Sequence, residues 1–249
     1  MKYMGSKNRI AKYIVPILEK EYYKSNCEIF IDACCGGCNL IDKISPSIPR
    51  YANDINKYLI AMWKGLQNGT DFPKEIPKCL YNVARDVYNG KEVRIEHIMN
   101  MTDDMVGWIG FMGSYNGRFF DGGYSGHNVK VKDGKERDYI TENINNIYKQ
   151  LDSLKGVTFS NKSLFDIRPK KKSLIYFDIP YKDTKQYDVS KNFDYDRFYK
   201  FCEELKQYGH IIFISEYGMP DTFKCVWEMS LNTHMNQKTE KRIERLFTL

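Results

Sequence analysis

Hydrophobic positions along the chain switch between helical and strand spacing. Ile10, Ile14, Ile17 and Leu18 recur at three- and four-residue steps and predict an amphipathic helix over Arg9–Tyr22, behind a short loop containing Gly5. Glu28–Asp32, with Ile29-Phe30-Ile31 at its centre, reads as a strand. It runs into Asp32-Ala33-Cys34-Cys35-Gly36-Gly37-Cys38-Asn39-Leu40, a glycine turn predicted to open a helix through Leu40, Ile41 and Ile44. Strand, turn and helix are the start of a βαβ unit. A second short strand, Tyr51-Ala52-Asn53, ends at Asp54, and an apolar helix is predicted from Tyr58 to Leu66.

From Gly69 to Asp138 the rhythm is lost. Pro73 and Pro77 precede mixed helical patterns and the glycine and aromatic run from Gly110 to Tyr124. An α/β rhythm then resumes, with a helix over Tyr139–Leu154, strands at Val157–Ser160 and Leu174–Phe177, a helix over Tyr195–Tyr208 and a buried strand at Ile211–Ser215. Phe223–Phe247 reads as a closing β-ribbon. The expected fold is therefore α/β, with a catalytic sheet built from residues 1–60 and 139–249 and an inserted, mainly helical unit at 61–138 containing a β-hairpin.

Composition narrows this only slightly. A chain of 249 residues with 42% hydrophobic content can bury a sizeable core. The net charge of +6 is compatible with an acidic partner such as nucleic acid. Seven cysteines, an odd number, and a start without an apolar signal core point to reduced thiols and a cytoplasmic protein. No apolar run approaches membrane-spanning length, so no membrane association is expected. Cys34, Cys35 and Cys38 lack the paired spacing of zinc modules, and no metal site is expected.

Two segments carry candidate chemistry. Gly36 and Gly37 allow a ligand to approach the backbone at the carboxyl end of a strand, and Asp54, 17 residues after Gly37, stands near the spacing at which an acid binds ribose hydroxyls. The G-x-G-x-x-G pattern is absent, which disfavours a nicotinamide enzyme. After the strand Leu174–Phe177 stand Asp178-Ile179-Pro180-Tyr181, a carboxylate, a constrained backbone and an aromatic ring at the ligand edge of the sheet. An exocyclic adenine amine is a poor nucleophile because its lone pair is delocalised into the ring. Acceptors on its two N–H bonds, Asp178 and the Ile179 carbonyl, would draw it toward a tetrahedral, reactive geometry, and Tyr181 offers a face to a base turned out of a duplex.

Together these segments resemble the Dam-type, D12-class DNA adenine-N6 methyltransferases in both motif content and motif order. Tyr3-Met4-Gly5-Ser6-Lys7 is similar to the family's amino-terminal cofactor segment, which implies that Tyr3, Gly5 and Lys7 bind S-adenosylmethionine. Phe30–Asn39 resembles the glycine motif. The resemblance implies that Asp32 faces the methionine end of the cofactor and that Cys34, Gly36 and Gly37 line it. Asn53-Asp54-Ile55-Asn56 resembles the ribose motif, and Asp178-Ile179-Pro180-Tyr181 matches the D-P-P-Y tetrapeptide at three of four positions. Ile214-Ser215-Glu216-Tyr217 resembles a later family segment without an assigned role. Two departures stand out. Ile179 replaces the first proline, and Ser163-Leu164 stands where the family often has an acidic-aromatic pair, which leaves Phe165 or Asp166 to serve the cofactor adenine.

The resemblance implies a Rossmann-like sheet that transfers a methyl group from S-adenosylmethionine to the N6 amine of a flipped-out adenine in double-stranded DNA. Target recognition would fall to the insertion. The insertion, counted over residues 61–139, carries eleven basic and eleven acidic residues, so it would read bases through placed groups: Ser114, Tyr115, Asn116, Arg118 and Tyr124. A restriction-modification setting in bacteria or phage, with a cognate endonuclease that forms no stable complex, follows from the same resemblance. The competing readings are a catalytically silent DNA-binding or anti-restriction relative and a methyltransferase acting on RNA or a small molecule. Arg168-Pro169-Lys170-Lys171-Lys172 precedes the strand that leads to Asp178 and is expected on the opposite rim, as a solvated turn.

Overall fold

The computed structural model describes residues 1–93, 101–131, 134–182, 193–235 and 238–249. Its centre is a seven-stranded sheet in the order β5-β2-β1-β6-β7-β9-β8. The strands are β1 (Ile29–Asp32), β2 (Arg50–Asn53), β5 (Thr158–Ser160), β6 (Ser173–Asp178), β7 (Ile211–Glu216), β8 (Lys224–Met235) and β9 (Lys238–Thr248). The first five named are parallel; β9 is antiparallel to both β7 and β8. A two-residue pair, β3 (Val129–Lys130) with β4 (Glu136–Arg137), stands apart from the sheet. This is the expected mixed α/β architecture.

Both faces of the central strands are buried, which is why they read as continuous apolar runs. Along β1 and β6 successive residues point to opposite faces. Phe30, Leu174 and Tyr176 join the larger core, with Ile14 and Leu18 of α1 (Ala11–Lys24), Trp63 of α2 (Lys57–Gln67) and Ile144 of α5 (Tyr139–Leu151). Ile31, Ile175 and Phe177 join the smaller core with Phe198, Phe201 and Leu205 of α6 (Tyr195–Gln207).

Within 61–138 lie α3 (Lys78–Tyr88) and α4 (Asp103–Gly113). Every residue of α4 from Val106 to Gly113 is buried. A Cβ at Gly107 would stand 2.1 Å from the Tyr58 carbonyl oxygen, so α4 lies directly against α2. Tyr81 and Trp108 share one buried cluster with Ile14 and Phe30. α2 itself runs across the expected boundary at residue 60.

The helix expected after the glycine turn is not formed. Leu40, Ile41 and Ile44 are buried as anticipated, but the segment makes only a single 3-10 turn, Ile41–Lys43. Cys38 sits at φ 56°, and Pro46 and Pro49 follow closely, leaving no run long enough for an α-helix. The basic segment lies where the strand order places it, at the amino-terminal rim. The Glu28 N–H donates to the Lys172 carbonyl at 2.8 Å, and Arg168 pairs with Glu204 at 3.5 Å.

Candidate active site

The carboxyl ends of five parallel strands deliver Asp32, Asn53, Ser160, Asp178 and Glu216 to one rim. Asn53 staples it. Its amide donates to the carbonyls of Ala33 (3.1 Å) and Lys162 (3.0 Å), while its oxygen accepts from the Ser160 hydroxyl (2.8 Å) and the Lys162 N–H (3.1 Å).

The glycine turn is held from several sides. The Gly36 N–H donates to Asp54 Oδ2 at 3.0 Å, and the Gly36 carbonyl accepts from Trp63 Nε1 at 3.2 Å. Gln150 Nε2 donates to the carbonyls of Gly37 (3.0 Å) and Cys38 (3.1 Å). The Tyr3 ring covers the turn so closely that a Cβ at Gly36 would lie 2.6 Å from its Cε1, and Gly36 has φ +47°. Both features demand glycine there. Asp54 also accepts the Asn56 N–H at 2.9 Å, and burial raises its carboxyl above the ordinary range.

Asp32 is 2% exposed, and its Oδ1 finds no hydrogen-bond partner among the described residues. Burial first, and then the neighbouring charge of Asp178, pushes its carboxyl well above the usual carboxylate range. A buried acceptor without a donor is the feature that a cationic ligand group would complete. The residues present therefore fit the ammonium end of an amino-acid-bearing cofactor.

Asp178 ends β6 and pairs with Lys7 at 2.8 Å. Burial raises the Asp178 carboxyl, and the Lys7 ammonium opposes that rise. Burial likewise works against the charge on Lys7, but Asp178 and Glu244 outweigh it and leave the ammonium above its ordinary value. The same ammonium lies 4.6 Å from the centre of the Tyr181 ring, which stands nearly perpendicular to the Tyr217 ring with the two centres 4.5 Å apart. The Tyr181 hydroxyl donates to Glu244 Oε2 at 2.7 Å. Ile179 is 2% exposed in the smaller core, and the Pro180 carbonyl accepts from the Tyr195 hydroxyl at 2.9 Å. Glu216, 1% exposed, is pushed by burial up to about 7.

Tyr3, Lys7, Asp32, Gly36, Gly37, Asp54 and the segment Asp178–Tyr181 thus gather at this rim. Phe165 and Asp166 occupy a short 3-10 turn, Leu164–Asp166, capped by Ser163. Phe165 packs against Phe201 at 5.6 Å and beneath the Arg197 guanidinium at 4.2 Å, while Asp166 is exposed. Cys34 is half-buried, and burial together with the charge of Asp54 raises its thiol well above the ordinary value. Among the described residues no group of three or more His, Cys, Asp or Glu is placed to hold a metal ion.

The five residues of the glycine and aromatic run divide. Ser114 is fully buried, its hydroxyl 3.1 Å from that of Tyr81 and accepting the Phe120 N–H at 2.8 Å. The Tyr124 hydroxyl donates to the Ile76 carbonyl at 2.6 Å. Both hold the loop from inside. Tyr115 is 48% exposed, and Asn116, with φ 54°, is exposed at the tip. Arg118 pairs with Asp121 at 3.1 Å, but its buried Nε has no partner among the described residues. A Cβ at Gly117 would lie 2.3 Å from the Lys2 carbonyl, so this loop rests on the segment that carries Tyr3 and Lys7.

Glu216 and Glu244 received no role from the sequence. Glu216 could have been found as the acid closing a buried parallel strand. Glu244 had no such signal, because its place depends on the register of the ribbon.

Residues 3–106 match the family model described as D12 class N6 adenine-specific DNA methyltransferase. That span includes the amino-terminal, glycine and ribose motifs; Asp178–Tyr181 lies beyond it. The match supports the D12 assignment, and the enzyme class is adenine-specific DNA methyltransferase. Its reaction is accordingly methylation of adenine in DNA. No curated protein gives a significant match to the chain.

Proposed function

We propose that this enzyme takes its methyl group from S-adenosylmethionine and places it on the N6 amine of an adenine turned out of duplex DNA into the rim between Asp178 and Tyr181. The observation that carries the reading is the convergence of the unpartnered Asp32 Oδ1, the glycine turn and the Lys7–Asp178 pair on one sheet edge. The cofactor supplies an activated methyl on a sulfonium. Asp32 would hold its ammonium, Asp54 its ribose hydroxyls and Tyr3 with Gly36 and Gly37 its flank. Phe165 offers a ring and Asp166 a carboxylate for its adenine.

Asp178 and the Ile179 carbonyl would accept the two amine N–H bonds of the target base, and the Tyr181 ring would support it. Lys7 already occupies Asp178 Oδ1, which leaves the other carboxylate oxygen for the amine. Segment 61–138 would read the target, with the exposed Tyr115 and Asn116 and the half-buried Arg118 as contacts and Ser114 and Tyr124 as their supports. The loop's rest on Lys2 favours this, because it brings the reading residues beside the base-handling end of the sheet. A cytoplasmic, restriction-modification role without a stable nuclease complex accords with this chemistry.

The deciding experiment is transfer of labelled methyl from S-adenosylmethionine to duplex DNA, single-stranded DNA and RNA, followed by mapping of modified bases. N6-methyladenine formed in duplex DNA supports the reading. Cofactor binding without transfer would favour the silent DNA-binding relative, and a preference for RNA would favour the other rival.

A further inference from the structure

Glu216 closes β7, the neighbour of β6, and the register that sets Asp178 opposite Ser215 brings it level with the tetrapeptide. Its carboxylate is turned inward. Oε2 accepts the Lys182 N–H at 3.0 Å and Oε1 accepts the Tyr217 N–H at 2.6 Å. Lys182 directly follows Tyr181, so the carboxylate grips the peptide by which the tetrapeptide leaves the sheet. Tyr217 supplies the ring that stands nearly perpendicular to that of Tyr181, with the two centres 4.5 Å apart. Both groups held by Glu216 therefore bear on one ring, whose hydroxyl is fixed from the opposite side by Glu244 at 2.7 Å. Two backbone donors at a strand end could be satisfied by water or a neutral side chain. An acid taken out of water is the costlier solution and calls for a use beyond capping.

We propose that Glu216 is a positioning residue for Tyr181: by holding the Lys182 and Tyr217 N–H groups, it fixes the ring that supports the target base and so governs turnover. It touches neither substrate. This inference rests on the assignment of Asp178–Tyr181 as the base-handling segment. Replacing Glu216 should leave cofactor and DNA binding nearly intact while the reacting geometry is lost.

The test is steady-state transfer of tritiated methyl from S-adenosylmethionine to unmethylated plasmid DNA by the full chain, its Glu216→Gln, Asp178→Ala and Tyr181→Ala variants, and the Glu216→Gln/Tyr181→Ala double variant. Glutamine keeps the shape but turns an amide NH2 toward one of the two N–H donors. The expected result is a kcat at least tenfold lower in Glu216→Gln, with both KM values within about threefold, and most of that effect absent in the Tyr181→Ala background. An unchanged kcat, or an equal loss in the Tyr181→Ala background, overturns the proposal. Lys182→Pro, at an exposed position, removes the same hydrogen bond from the other side and should reproduce the loss of kcat, which keeps the test intact if Glu216→Gln does not fold. A parental kcat in that variant also overturns the proposal. Full activity in Asp178→Ala would instead show that the base-handling assignment had failed.

Discussion

The ammonium of Lys7 lies 2.8 Å from Asp178 Oδ1, a largely buried ion pair that joins the amino-terminal motif to the tetrapeptide at the end of β6. Breaking such a pair from one side strands a charge in the interior, at a cost of about 3–5 kcal/mol. Lys7→Met is expected to lower unfolding free energy by about 3 kcal/mol, at the lower end of that range because Asp178 is partly exposed. Asp178→Asn in the same background should recover part of it. Urea denaturation of the two single variants and the double variant measures the coupling, and additive effects would show that the pair carries no energy.

Asp32 gives a prediction about pH. Its folded-state carboxyl is raised well above the ordinary 3.8, so ionisation opposes the fold. Stability from this group is full below the unfolded-state value and declines as pH rises toward the folded-state value. Asp32→Asn removes the titration. Its melting temperature relative to the parent should therefore climb between pH 4 and pH 8, while its affinity for S-adenosylmethionine collapses. Parallel melting curves across that range would refute the buried-charge account.

Asp54→Ala should weaken S-adenosylmethionine binding at least tenfold, on the order of 1.4 kcal/mol, because the charge-assisted bonds to the ribose go and the Gly36 N–H loses its acceptor. Titration calorimetry reads this directly. An unchanged affinity would leave Asp54 as a brace for the glycine turn only.

Asp178→Ala should reduce single-turnover methyl transfer by about a hundredfold to a thousandfold, the usual cost of losing one preorganised polar group. Ile179→Pro should change the rate only modestly, since the chemistry uses the backbone carbonyl and Pro180 already biases that backbone to extended geometry. Activity appearing only in Ile179→Pro would mean that isoleucine silences the site.

Exchanging Asn116 and Arg118 for alanine should relax site preference more than it weakens cofactor binding, by roughly 1–3 kcal/mol for each lost base contact. Sequencing of methylated sites at matched activity tests it. A parental site profile would move target reading elsewhere in the chain.

Much of the rim was legible because the central parallel strands β1, β6 and β7 are apolar runs stopped by an acidic residue, and the short β2 ends beside Asp54. Asp32, Asp54 and Asp178 could be placed this way. The helix expected after Gly37 could not form, because Pro46 and Pro49 act on a stretch already bent at Cys38. Ser114 and Asn116 could not be told apart in sequence. Their separation into core and tip follows from left-handed backbone at Asn116, Phe119 and Phe120. Glu244 was hidden for a different reason: its meeting with Tyr181 depends on how β9 pairs with β7.

The chain as a whole is positive, at +6, yet Asp32, Asp54, Asp178 and Glu216 stand at one sheet edge, where Asp178 and Glu244 bear on the ammonium of Lys7. Under the proposed function such a mouth would disfavour a phosphodiester wherever these carboxyls are ionised. A nucleic acid would not lie along it backbone first, and the part of a nucleotide to enter would be the uncharged heterocycle. A positive exterior that attracts the polyanion and an acidic mouth that refuses its phosphates would together sort the substrate, admitting the base and keeping the strand outside.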